Sequence, residues 1–146
     1  MGRWLLPALL LVSACTARGP RDLAGSPVPD VLAAYPNTHT VTVAWYESCP
    51  WCKKELAEIN ERYDELVRAN VTVVALNYGD SDELVRATVE ERGYEFPVVM
   101  GYTMADLPAA GVPYSVFYCH GIITSRHIGY MTPAEFGGAV FLDCEE

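Results

Sequence analysis

Val41 to Leu56 reads VTVAWYESCPWCKKEL, and its two cysteines, Cys49 and Cys52, stand where one hydrophobic period gives way to another. Upstream, Thr38 to Tyr46 (THTVTVAWY) is β-branched and aromatic, with too few polar breaks for a strand exposed on one side. It predicts a central strand buried on both faces. Downstream, Leu56, Ile59, Tyr63 and Leu66 recur at spacings of three and four, the buried stripe of a helix predicted to run to about Ala69. Cys49 therefore falls at the mouth of a helix, where unpaired backbone N–H groups and the positive end of the helix dipole favour a thiolate over a thiol. Cys52, on the same turn, is near enough to attack a mixed disulfide formed at Cys49 and release the product. Pro50 suits the first helical position, where its missing N–H costs nothing. Trp51 is either a rim residue offering an apolar surface to a substrate chain or a packing residue, and pattern alone does not separate the two.

Other chemistries for the pair have less support. A disulfide between cysteines so close in sequence closes a very short loop and removes little chain entropy. A tetrahedral zinc site wants about four ligands, commonly from two paired motifs, and the chain has one such motif. Haem attachment needs histidine directly after the second cysteine, where Lys53 stands. A redox-active dithiol is the reading that fits a strand-turn-helix setting, and it needs no bound cofactor and no metal.

Past the first helix the elements keep alternating. VTVVALNYG (Val71 to Gly79) is a second buried strand. Asp80 and Glu83 have capping-box spacing, Leu84, Val85, Thr88 and Val89 share a face, and Gly93 sits where a helix-ending glycine belongs, so a helix is predicted over about 81–92. FPVVMG is a short strand, MADLPAAG a turn of helix or a loop, and YSVFYC and IITSRHIG are two strands linked at His120-Gly121. Thr132, Pro133 and Glu135 supply an N-cap, a first-turn proline and a reciprocal carboxylate for a last helix. Early crossovers require parallel strands, and the tight His120-Gly121 link requires an antiparallel pair. The expectation is an α/β domain with a mixed sheet flanked by helices.

The 146 residues suffice for one domain with its own core. A formal charge of −9, from 10 Lys+Arg against 19 Asp+Glu, argues against a nucleic-acid partner, whose affinity rests on Lys and Arg. MGRWLLPALLLVSAC has one charge, Arg3, then an apolar run and small residues, the grammar of an export signal too short to span a bilayer. Val12-Ser13-Ala14-Cys15 resembles the lipobox of bacterial lipoproteins, which implies a signal over 1–14, cleavage before Cys15 and a lipid on its sulfur. Residues 15–27 are rich in Gly, Pro and Ala with no apolar period, and read as a tether ahead of a folded body over 28–146. Export places the remaining cysteines where disulfides persist.

VTVAWYESCPWCKKEL followed by GVPYSVFYCHGIITSRHIG resembles the thioredoxin fold over roughly 28–141. Within it the chain is most similar to the extracytoplasmic, membrane-tethered TlpA/ResA/CcmG-type thiol-disulfide oxidoreductases. Two features carry that likeness: an additional helix-strand unit over about 81–100, before Pro113, and Glu55, three residues after Cys52. The resemblance implies that Cys49 attacks, Cys52 resolves and Glu55 assists proton movement. It also implies that Pro113 is cis and faces the pair, and that the Val112 backbone, with Pro50 and Trp51, meets the substrate. Read without the resemblance, Glu55 is an ordinary helix-surface carboxylate. The implied partners are exported cysteine-containing proteins, such as apocytochromes, and a membrane electron-transfer protein that recharges the dithiol.

The chain also departs from its relatives. Val43 occupies the place of the buried acid of cytosolic thioredoxins, which leaves proton transfer to Glu55 or water. Pro50-Trp51 resembles the proline-led dipeptides of glutaredoxins and DsbA as much as those of reductases, so an oxidase or isomerase remains open beside a reductase, as does a copper-binding module using Cys49 and Cys52. In the implied topology Cys119 and Cys144 both finish at the pole away from the active site. A structural disulfide there would close a loop of about 25 residues and contribute roughly 3 kcal/mol; the alternative is two unpaired thiols. His39, His120 and His127 show no metal-ligand spacing and read as surface or strand histidines.

Overall fold

The structure is a computed structural model and describes residues 19–142 and 144. The stretch 1–14, read above as a signal, and Cys15, read as a lipidation site, lie outside the described residues.

The elements in chain order are β1 (Arg21–Asp22), α1 (Val31–Ala34), β2 (His39–Trp45), α2 (Pro50–Glu61), α3 (Tyr63–Arg68), β3 (Val71–Tyr78), α4 (Asp82–Arg92), β4 (Val98–Tyr102), β5 (Tyr114–Cys119), β6 (Ile122–Ile128) and α5 (Pro133–Val140), with a 3-10 turn at Met104–Asp106. They form one mixed sheet in the order β1-β4-β3-β2-β5-β6. β2, β3 and β4 run parallel, while β5 runs antiparallel to β2, and β6 to β5. The mixed sheet expected from the alternating periods is the one observed. His120 (φ 49°) and Gly121 (φ 78°) both take positive φ at the β5–β6 link, as a tight hairpin whose twist matches its strands requires.

β2 is buried on both faces because each face has a cover. Val41, Val43 and Trp45 point into the main core with Leu56 and Ile59 of α2, Val85 and Val89 of α4, and Phe136 and Val140 of α5. Ala44 points the other way, toward Tyr78, Tyr114 and Val116. On that second face α1 contributes Val31 against Val28, Val74 and Val99.

Three local expectations are corrected. The predicted single helix to Ala69 breaks at Arg62, whose N–H bonds to the Ile59 carbonyl at 3.1 Å in a tightened turn, while its Nη1 donates to Pro133 O at 2.8 Å. The cap of α4 is Ser81, whose hydroxyl accepts the Leu84 N–H, and not Asp80.

The third correction is that the folded body starts ahead of residue 28, within the stretch read as a tether. Arg21 and Asp22 pair with Met100 and Val99, and Arg21 Nη2 holds both carboxylate oxygens of Asp82 at 2.8 and 2.9 Å. Gly101 (φ 96°) permits this approach, since a Cβ there would run into the Gly19 carbonyl.

Candidate functional site

The site lies where the sheet's polarity places it. β2 and β3 run parallel and finish together, with Trp45 opposite Asn77. β5 runs back along β2, so its first residue, Tyr114, pairs with Ala44. The turn after β2, which carries Cys49, and the segment before β5, which carries Pro113, therefore meet at one edge.

Cys49 is the N-cap of α2, with Pro50 at the first helical turn, and its Sγ accepts the Cys52 N–H at 3.1 Å. The two cysteines form a disulfide with their Cα atoms 5.2 Å apart. Cys49 retains 6% of its surface and Cys52 none, so an incoming sulfur meets Cys49 first. Cys49 Sγ lies 3.8 Å from the Val112 carbonyl oxygen, and the Val112–Pro113 peptide is cis. A groove lined by Trp51, Val112, Pro113, Gly129 and Tyr130 runs beside the disulfide. Trp51 is 57% exposed, at the rim rather than in the core. Its ring sits 5.4 Å from that of Tyr130, and Lys54 Nζ lies 5.6 Å and 4.8 Å from the two ring centres. Tyr130 is itself tied down by donating to Glu58 at 2.6 Å.

Glu55 follows Cys52 by three residues, on the same face of α2. It is 1% exposed, deep enough that the surface reading of it is wrong. Oε1 accepts the Ser115 hydroxyl at 3.1 Å, and Oε2 accepts the Met131 N–H at 3.0 Å. Burial pushes its carboxyl up to about 7 against the opposing pull of those two bonds, with nearby Glu58 adding to the rise. A carboxyl that exchanges its proton near neutrality is suited to acid-base work. Beside it, a small cavity between α2 and α5 is lined by Glu58, Ile59, Arg62, Met131 and Phe136.

Asp80, freed from capping, fixes the approach to Cys49. Its Oδ2 accepts the Glu47 N–H at 2.7 Å and Asn77 Nδ2 at 2.8 Å, and Lys53 Nζ holds Glu47 Oε1 at 2.8 Å. An Asp80→Ala variant leaves the Glu47 and buried Asn77 donors without this acceptor. It is expected to lower stability by about 1–3 kcal/mol, read as a lower urea midpoint of the oxidised protein, with part recovered in Asp80→Asn. An alanine variant with an unchanged midpoint would show that the carboxylate does not hold the turn.

The predicted residues Cys49, Pro50, Trp51, Cys52, Glu55, Val112 and Pro113 thus converge on one edge. Cys119 and Cys144 form a disulfide, Cα to Cα 5.6 Å, at the other end of the sheet, where Cys119 pairs with His39. Sequence reasoning missed Ser115, Met131, Tyr130 and Asp80. Ser115 alone left a signal, a small polar residue at an inward position of an apolar strand.

The model of the AhpC/TSA family matches residues 24–106. Thiol-disulfide oxidoreductase ResA of Halalkalibacterium halodurans is 28% identical over 92 residues, which are 60% of this chain and 52% of that protein. The chain thus spans about half the length of that curated relative. Among solved structures, a secreted thiol-disulfide isomerase from Corynebacterium glutamicum superposes with a TM-score of 0.72 at 16% identity, covering 86% of this chain and 82% of that one. StoA from Bacillus subtilis gives 0.62 at 21% identity, covering 83% and 96%. A secreted Mycobacterium tuberculosis disulfide oxidoreductase homologous to DsbE gives 0.67 at 19% identity, covering 84% and 94%. At these identities the structural likenesses speak to the fold, which is thioredoxin-like.

Proposed function

The chain belongs to the AhpC/TSA family, and from that membership we propose that it is an extracytoplasmic thiol-disulfide oxidoreductase that reduces disulfides of exported proteins. The observation that carries this reading is the asymmetry of the pair: Cys49 at a helix N-cap keeps 6% of its surface exposed, and Cys52 behind it keeps none.

In the reduced protein the Cys49 thiolate attacks one sulfur of a substrate disulfide. That S–S bond breaks, a Cys49–substrate disulfide forms, and one substrate thiolate leaves. Cys52 then attacks the Cys49 sulfur, giving its proton to the Glu55 carboxylate, and the second substrate thiolate departs. Two electrons pass to the substrate, and Cys49–Cys52 ends oxidised. The substrate segment lies in the groove between Trp51 and Pro113, against the Val112 backbone. The dithiol carries the electrons, so no further cofactor takes part.

The likeness to a secreted isomerase and a secreted disulfide oxidoreductase supports an extracytoplasmic setting, and the lipobox-like ending at Cys15 supports an anchor. We assign residues 1–14 to a cleaved signal and Cys15 to lipidation, with a membrane electron-transfer protein as the source of electrons.

The test is the potential of the Cys49–Cys52 couple, measured against glutathione alongside insulin reduction. A value near thioredoxin's, about −270 mV, with catalysed insulin reduction, is expected. A value near DsbA's, about −120 mV, would make the protein an oxidant instead. Tight stoichiometric metal on Cys49 and Cys52 without insulin reduction would replace the enzyme by a metal-delivery module.

A further inference from the structure

The pole opposite Cys49 holds a second group of sulfur and nitrogen ligands. His39 opens β2 and Cys119 ends β5, and the antiparallel register sets them directly opposite each other. Cys144, just beyond α5, comes down on the same spot. One His39 ring nitrogen and the two sulfurs all lie within 4.8 Å of one another. Cys119 is buried, while His39 and Cys144 are half-buried, so the group is held by the fold yet open to solvent on one side. His39 Nδ1 is buried without a hydrogen-bond partner among the described residues, and Phe141 closes edge-on over the ring at 5.1 Å.

We propose that, once the Cys119–Cys144 disulfide is reduced, the two sulfurs and His39 form a three-ligand site for a thiolate-seeking divalent ion of the zinc class. Two thiolates and an imidazole are the donors such an ion prefers, and three protein ligands leave its fourth position to water. In the oxidised state the sulfurs spend their bonding on each other and the site is closed. A dithiol reductant, such as a reduced CxxC protein, supplies two electrons and two protons and becomes a disulfide itself. The S–S bond breaks to two thiols, and binding the ion releases both protons. The sulfurs must then separate to about 3.8 Å, the edge of a tetrahedron with metal–sulfur bonds of about 2.3 Å. Cys144 lies outside every helix and strand, so that movement breaks none of their hydrogen bonds.

The site is independent of the Cys49–Cys52 chemistry, and its test removes that chemistry. The full chain carrying Cys15→Ser, Cys49→Ser and Cys52→Ser is reduced with a phosphine under argon and titrated with Co2+. One Co2+ per chain is expected, with a near-ultraviolet thiolate-to-cobalt band that added Zn2+ abolishes. The oxidised protein should bind none. Adding His39→Ala, and separately Cys144→Ser, should weaken binding at least tenfold, with circular dichroism confirming the fold. Should His39→Ala fail to fold, Cys144→Ser, outside every helix and strand, decides the matter. No binding by the reduced protein, binding indifferent to either substitution, or binding that survives oxidation would each overturn the proposal.

Discussion

Replacing Cys49 with serine is expected to lower insulin-disulfide reduction on the order of a thousandfold or more, because a hydroxyl keeps its proton where the thiol gives it up. Replacing Cys52 with alanine should do something different. Cys49 remains able to attack, but nothing resolves the product, so partner proteins accumulate as mixed disulfides on Cys49, visible as reducible adducts in non-reducing gels. The burial difference sets this division of labour, since Cys52 has no surface for a substrate to approach. Adducts on Cys52 in a Cys49→Ala variant, equal in yield to those on Cys49, would reverse the assignment.

The second large effect concerns Glu55. Its carboxyl is pushed up to about 7 by burial, from an ordinary value of 4.5. Between those values the folded protein holds a proton that the unfolded chain releases, so stability is fully present below about pH 4.5 and falls as pH rises through 7. The loss is on the order of 3 kcal/mol by pH 8, an upper figure. Glutamine mimics the protonated carboxyl, one acceptor and one donor toward Met131 and Ser115, and does not ionise. Glu55→Gln should therefore match the parent near pH 4 and exceed it by about 2–3 kcal/mol at pH 8 in urea unfolding. A gap that stays constant between the two pH values would mean that the carboxyl does not titrate near neutrality. The same variant should slow resolution by Cys52, since its amide takes no proton.

What was legible in the sequence, and what was not, follows from the range of the interactions. The strand-helix order around Cys49 shows because the hydrophobic period changes from two to about 3.6 within a few residues. The break at Arg62 does not, since neither Gly nor Pro marks it. Asp80 and Ser81 are both good caps, and only the distant Glu47 amide, 33 residues away, decides that Asp80 is used elsewhere. β1 is two residues held to β4 and fixed by Arg21 to Asp82 across 61 positions, with no local pattern to announce it.

Glu55 is the clearest case. Flanked by Lys53, Lys54 and Glu58, it reads as surface by composition, and only the family resemblance singled it out. Its burial is made by Ser115 and Met131, 60 and 76 residues downstream. Ligand spacing along the chain likewise passes over His39, whose neighbours are supplied by strand register.

The state of the Cys49 sulfur is the point on which the proposed chemistry turns. The direct measurement is the rate of iodoacetamide alkylation at Cys49 in the reduced protein across pH, read at that residue by mass spectrometry. The N-cap position predicts a half-maximal rate well below the free-thiol value of about 8.5. A midpoint at or above that value would contradict the account.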